Sequence, residues 1–333
     1  MLVSTVWVAA CLASSAVMAV SHLDKPYYDL NDAENLFKDF IKQHGKVYNG
    51  REYSERLEIF KESLKDINSR NEKYPQTVFK VNHFSDLTPE ELELYRGVVP
   101  VRNVSKAIPY RTNTLSRLPE FDWRKVGVIT PVKNQGKCGC GYIFSAIGTM
   151  EGRYAMKYRE CLAFSESQAL DCYENAGCNG GNPWQIIWGY MFSKCGVILE
   201  KDYPYQPEKQ TCRQNKSMAV THVLPVITGW GVSEEELLLE FLVNIGPLAI
   251  CLSAADFKHY SGGILEPDLC TGKPFDHCVL LVGYGEENGK QFWTIKNSYG
   301  VMWGERGYVR IRRGVKACGI TGKDFFLYFA EML

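Results

Sequence analysis

The 333-residue sequence lacks net charge of either sign: 38 Lys and Arg balance 38 Asp and Glu. That excludes a nucleic-acid binder working through bulk positive charge, and an acidic disordered tail, so any catalytic field has to be local. It also lacks internal repeats and low-complexity tracts, and beyond the N-terminal stretch no apolar run is long enough to cross a bilayer. Its 12 cysteines are too few for a disulfide miniprotein and more than a typical cytosolic enzyme needs. They fit an oxidising compartment with a few bridges. Apolar residues at 45% and charged residues at 23% give a globular composition, with enough chain for one large domain or two modest ones.

Residues 1–19 (MLVSTVWVAACLASSAVMA) are apolar and end in the small-x-small pattern Val17-Met-Ala19. They read as a signal peptide cleaved after Ala19, although Lys and Arg are absent from its start; an uncleaved membrane anchor is the alternative. Cys11 would leave with the signal. Asn103-Val-Ser105 and Asn215-Lys-Ser217 are glycosylation sequons, compatible with secretion.

Residues 33–71 are charged and helical in period. Leu36, Phe37, Phe40 and Ile41 form one apolar stripe; Leu57, Phe60, Leu64 and Ile67 form a second, at spacings of three or four. Glu52 and Arg56 stand at i, i+4 and can pair. A short strand-like run follows at Val78–Val81. Residues 98–117 carry two prolines, several polar residues and no apolar period, which reads as an exposed linker that a protease can cut. From Leu118 onward Gly, Trp, Cys and Tyr become dense, and the texture is that of a mixed α+β domain.

Chemistry gathers at three places. Residues 133–152 (KNQGKCGCGYIFSAIGTMEG) lead from loop glycines into a helical run over 142–157. A thiol at such a helix start would have a lowered pKa. Far downstream come Asp276-His277-Cys278, then Lys296-Asn297-Ser298-Tyr299-Gly300 with Trp303-Gly304. A lone His or Asn is more often structural. Together with a Cys-rich helix start they suggest a nucleophile, a base and an orienting group brought together from distant parts of the chain.

These residues resemble the papain family of cysteine peptidases, in its cathepsin L-like group, along the whole chain. Glu52, Arg56, Phe60, Ile67 and Asn71 match the helix motif of the family's inhibitory propeptide, with Ser63 where the motif has Asn. Asn82, Phe84 and Asp86 match the next propeptide motif, with Lys80 at its usual glycine. Leu118–Trp123 resembles a mature N-terminus, and Cys178-Asn-Gly-Gly181, His277, Asn297 and Trp303-Gly304 match the mature motifs. The runs EENGKQFW and GERGYVRIRRGVKACGI resemble the cathepsins of insect baculoviruses and granuloviruses.

The resemblance implies an α+β, papain-like two-lobed fold, one lobe helical and one β-barrel-like, preceded by a helical inhibitory propeptide. The expected division is 1–19 signal peptide, 20–117 propeptide and linker, 118–333 peptidase domain. It implies a zymogen that is secreted, lysosome-like or held in the endoplasmic reticulum. Such a zymogen would act on peptide or protein substrates, with its own propeptide as inhibitor. It would be a monomer without cofactor or metal, bound to neither nucleic acid nor, after signal cleavage, a membrane. Disulfides Cys138–Cys178, Cys172–Cys212 and Cys270–Cys318 are implied; Cys161 and Cys195 are given no partner. Gln135 and the backbone N–H of residue 141 would stabilise the oxyanion. His277 would be base and then acid, with Asn297 fixing its tautomer. Asn179, Gly180 and Gly181 would pair with substrate backbone. Asn182, Pro183, Cys251, Cys278 and Lys323 would line the pocket for the second substrate residue, with Cys251 and Cys278 expected as two small buried thiols.

One departure is central. The family motif Gln-Gly-x-Cys-Gly-Ser-Cys-Trp-x-Phe-Ser aligns without a gap on Gln135–Ser145, which puts Gly141 at the nucleophile position and Cys140 one place early. Tyr142 and Tyr299 replace two tryptophans, and both flat rings are expected to screen the His–Asn hydrogen bond. Glycine cannot attack a carbonyl. Cys140 is a candidate surrogate, but successive side chains at a helix start point about 100° apart, and a misplacement of about 1 Å already costs on the order of a hundredfold. Three readings stay open: a Cys-His-Asn endopeptidase, with host-tissue degradation implied by the viral resemblance; a non-catalytic homologue keeping a peptide-binding or regulatory cleft; and a secreted scaffold.

Overall fold

The computed structural model describes residues 24–99, 118–174, 176–192, 195–224, 229–231, 234–322 and 325–333. Residues 1–19, read above as a signal peptide, Asn103, Lys323 and residues 100–117 of the expected linker lie outside them.

The N-terminal segment is helical, as its two stripes predict. Ala33–His44 ends where Gly45 takes a left-handed turn (φ 60°), and the helix Gly50–Lys73 follows. Phe37, Phe40, Phe60 and Leu64 close a small core between them, with Leu36, Ile41 and Leu57 at its edge. The expected Glu52–Arg56 pair stands at 3.8 Å and is secondary. The Arg56 guanidinium instead grips both Glu91 oxygens and the Asp86 carbonyl. Glu91 is held by the short helix Pro89–Glu93, where it forms a capping box with Thr88. A fork matches a carboxylate better than a single i, i+4 contact can, which is why the distant partner wins.

The segment is joined to the rest by a strand. Thr77–Phe79 pairs antiparallel with Tyr260–Leu265 at the end of the main sheet. Among the described residues that sheet runs on through Tyr308–Arg312, Lys290–Lys296, His277–Glu287, Leu248–Leu252 and Phe326–Tyr328 to Gly229–Gly231. Its apolar face builds one core, with Trp293, Trp303 and Tyr260 fully buried.

The second lobe surrounds the helix Gly141–Tyr158, within a residue of the predicted limits. Ile143, Ile147 and Met150 pack with Phe164, Ile187 and Tyr190. Gly148 and Gly152 let this helix press on the sheet: a Cβ at either would stand 2.9 Å from Leu280 Cδ2 or 2.7 Å from Pro247 Cγ. That close approach sets the start of the helix against the start of His277–Glu287, and so defines the cleft.

Candidate active site

His277 is the first residue of its strand and Asn297 follows directly on the neighbouring strand Lys290–Lys296. His277 Nε2 lies 2.8 Å from Asn297 Oδ1, which also accepts from the Ser298 amide at 2.8 Å. That oxygen is thus fixed as an acceptor, Nε2–H donates, and Nδ1 of the neutral ring carries the free lone pair. Nδ1 is buried without a hydrogen-bond partner among the described residues. Burial pushes the imidazole down to about 4, against the favourable Asn297 bond. Tyr299 stacks on the ring at 4.9 Å and 22°, covering the His–Asn bond as expected.

The facing wall presents a residue without a side chain. Gly141 opens the helix directly under His277: a Cβ built there would lie 2.4 Å from His277 Cε1 and 2.7 Å from Nδ1. The imidazole fills the space of the missing side chain. Cys140, the surrogate by sequence, is fully buried, and its Sγ lies 3.1 Å from the Tyr205 hydroxyl. That hydroxyl donates to the Gln135 carbonyl at 2.8 Å, so the sulfur has to donate and stays a thiol. Burial pushes this thiol up to about 12. A buried, protonated sulfur committed to Tyr205 does not meet the demands of a nucleophile for His277.

Gln135 is pinned for its role. Its Oε1 accepts from Ser298 Oγ at 2.6 Å, which turns the amide nitrogen toward the cleft. Nε2 donates to Cys138 O at 2.7 Å and to Tyr95 O at 2.9 Å. Tyr95 follows the helix Pro89–Glu93, and the Tyr95–Val99 stretch lies through the cleft as an arm. Gly97 N donates to Asp276 O at 2.8 Å, and Val99 N to Gly181 O at 2.9 Å, beside a parallel bridge between Val98 and Gly181. Gly180 is so close to the arm that its Cβ would stand 2.8 Å from Gly97 Cα. Asn179 is exposed at the cleft's edge. Phe84 clamps the arm from outside, edge-on to Tyr95 at 4.9 Å and to Tyr299 at 5.2 Å. Lys258 anchors the propeptide helices by donating to Ser63 Oγ and Leu87 O.

Two expectations need correction. Tyr142 does not screen the His–Asn bond. Its hydroxyl donates to Gly177 O and accepts from Gly177 N, and its ring lies under Gly181, where a Cβ would come within 2.4 Å. It supports the Gly181 backbone that pairs with the arm. Cys251 and Cys278 are not separate thiols: they face each other in register on Leu248–Leu252 and His277–Glu287 and form a disulfide. Two cysteines directly opposite on adjacent antiparallel strands have their Cβ atoms close enough to bond. They share an apolar cluster with Tyr142 and Tyr328. The Tyr328 hydroxyl accepts from Asn182 Nδ2 at 3.1 Å, and Asn182 Oδ1 accepts from Trp184 N at the start of Pro183–Phe192. Tyr328 and Tyr205 were not in the sequence-derived set, and Asp276 was named beside His277 without a role; the partners of Tyr205 and Asp276 lie 65 and 180 residues away.

Disulfides Cys138–Cys178, Cys172–Cys212 and Cys270–Cys318 are formed. Asn215 is exposed in a short turn in which its own Oδ1 accepts from Ser217 N.

Residues 118–327 match the model of the papain family cysteine protease, and residues 37–92 that of the cathepsin propeptide inhibitor domain. The viral cathepsin of Heliothis zea nuclear polyhedrosis virus is 37% identical over 89% of this chain and 85% of its own length. That of Autographa californica nuclear polyhedrosis virus is 35% identical over 89% and 92%. Among solved structures, digestive procathepsin L2 proteinase from Tenebrio molitor larval midgut superposes with a TM-score of 0.82 at 31% identity, over 90% of this chain and 99% of that one. With an inhibitory propeptide and a two-lobed protease domain both matched, the chain belongs to the papain family of cysteine proteases.

Proposed function

We propose that this chain is the secreted zymogen of a cathepsin L-like endopeptidase of the viral cathepsin type, in which residue 141 decides between cutting a bound peptide and only holding it. With Gly141 as it stands, the cleft holds extended peptides and does not cut them. The observation that carries this reading is the contact between Gly141 and His277: the imidazole occupies the space a thiol side chain would need. A base without a nucleophile leaves recognition intact. Gln135 and the N–H of residue 141 can still bind a carbonyl, and Gly181 can still pair with peptide backbone.

Full Cys-His-Asn endopeptidase activity is favoured by a different observation. An arm lies through the cleft, His277 keeps its bond to Asn297, and Gln135 keeps its amide nitrogen turned toward the cleft. A cysteine at 141 would be held as thiolate by the helix start and His277, would attack the carbonyl, and would pass its proton through His277 to the leaving amine. In either case we assign residues 1–19 to a signal for the secretory pathway, 98–117 to the segment cut on maturation, Asn103 and Asn215 to glycan attachment, and a single chain to the active unit.

The test starts with the coding sequence across Lys137–Phe144, followed by acid treatment of the purified chain. The expected result is a cut within 98–117, saturable but weak binding of a peptide aldehyde, no peptide turnover and no labelling of Cys140 by an epoxide thiol trap. Turnover together with labelled Cys140 would overturn the holding reading. Absence of any saturable peptide binding would overturn both.

A further inference from the structure

The arm that fills the cleft carries one charged side chain into it. Arg96 is 16% exposed and reaches the wall beside His277, where Nη1 lies 3.2 Å from Asp276 Oδ2 and Nη2 lies 3.5 Å from the Ala255 carbonyl. Asp276 is built to receive it. Its other oxygen accepts from the Ala254 amide at 2.6 Å, which fixes the carboxylate and turns Oδ2 toward the arm. Its own carbonyl accepts from Gly97 N at 2.8 Å, which fixes the register of the residue after the arginine. Two acceptors reached by two nitrogens of one planar fork suit a guanidinium; an ammonium is a point charge and cannot span both. The next position tolerates no side chain, because a Cβ on Gly97 would stand 2.4 Å from Gly180 Cα.

We propose that the Asp276 carboxylate and the Ala255 carbonyl form a guanidinium-binding site on the His277 wall, filled in cis by Arg96 and free, once the arm leaves, to take the arginine of a bound peptide. This rests on the reading of the cleft as a peptide-binding surface and gives that surface a substrate class: chains carrying Arg. Departure of the arm leaves Asp276 without its counter-charge, so an incoming arginine regains an interaction that a neutral side chain cannot supply.

The test uses the full chain carrying Arg96→Ala and the probe N-acetyl-arginine N-methylamide, followed by shifts of the Ala254 amide in heteronuclear NMR spectra. Saturable binding is expected. It should weaken about tenfold or more for the citrulline analogue, which has the same shape without the charge, and vanish when Asp276→Asn is added. The parent chain should not bind, because Arg96 already occupies the site. Should Arg96→Ala not fold, Arg96→Gln empties the site in the same way; should Asp276→Asn not fold, the citrulline comparison stands alone. Equal binding of both probes, equal binding to the parent, or none to the Arg96 variant would overturn the proposal. No hydrolysis is read, so failure here removes the arginine site alone, whereas failure of the peptide aldehyde to bind removes the proposed function.

Discussion

The two walls of the cleft have fared differently. The His277 wall holds its base, its orienting Asn297 and its covering Tyr299 at hydrogen-bonding and stacking distances. The wall opposite keeps Gln135 pinned and the helix start in place, yet turns no side chain toward the imidazole at Gly141. A site of this kind is built from backbone and buried polar contacts, and these survive the loss of a single side chain. What does not survive is the space, because His277 closes over it.

The largest effect should come from restoring the sulfur. Cys140→Ser with Gly141→Cys gives a thiol at the helix start while the oxyanion donors stay unchanged. The new Cβ requires the imidazole to withdraw by about 1 Å, since Cβ contacts under 3 Å do not persist. The ring can do so by pivoting about its Nε2–Asn297 bond in the plane of the Tyr299 stack, because Nδ1 has no hydrogen bond to break. Peptide hydrolysis after arm release should rise by roughly 10⁴-fold or more, and His277→Ala should remove the gain. If the double variant folds, matures and labels with a thiol trap but stays slow, the two walls no longer match. If the parent is already fast and Cys140→Ser alone silences it, the register assignment is wrong.

The next test weakens the intact wall. The Cys251–Cys278 bridge ties the strand of His277 to its neighbour across 27 residues of chain. Replacing it with Cys251→Val and Cys278→Ala should cost about 3–4 kcal/mol in denaturant unfolding, from the chain-entropy argument for a loop of that length. An unchanged midpoint would mean that the two sulfurs are not bridged in solution.

This bridge also marks where the sequence stopped being legible. The motifs gave the fold, because glycines, cysteines and tryptophans at set spacings report local backbone needs. Placing Cys251 and Cys278 on neighbouring strands was within reach, but whether they bond depends on register, and a shift by one residue would turn one sulfur to the other face. The Arg96–Asp276 pair lies further out of reach. Its residues are 180 positions apart, and nothing in either local pattern names the other. Cys140 was ambiguous for a third reason: only the Tyr205 contact shows which way the sulfur points.

Acid should separate the walls from the propeptide. Burial, then the charges of His44 and Lys46, hold His83 down to about 4, below its ordinary value of 6.5. The unfolded chain therefore takes up the proton first. The stabilising contribution is complete above about pH 6.5 and is lost as pH falls toward 4. His277, also held at about 4, follows the same sign. His83→Phe keeps a ring against Phe84, where the two centroids now lie 3.9 Å apart at a 44° tilt, and removes the titration. Between pH 7 and pH 5 the variant should lose about 1–2 kcal/mol less stability than the parent. Parallel pH profiles for the two chains would show that His83 does not titrate in this range.

The smallest effect is expected at Cys140, and its smallness is the point. If the sulfur were a working nucleophile, Cys140→Ser would abolish activity and alter the cleft. The structure gives it a different task. It fills a buried position at the helix start and donates one hydrogen bond to Tyr205, whose own proton is spent on Gln135. A serine hydroxyl is of similar size and can donate the same bond. The loss of apolar burial and the gain of a stronger hydrogen bond are each about 1 kcal/mol and oppose one another. Unfolding stability should therefore change by less than about 1 kcal/mol, and peptide binding should not change. Cys140→Val should behave differently. It cannot donate, leaves the half-buried Tyr205 hydroxyl with only its bond to Gln135, and should cost about 1 kcal/mol. Equal stability of the serine and valine variants would show that the Tyr205 bond is not made, and would return Cys140 to the list of sulfurs free to turn toward His277.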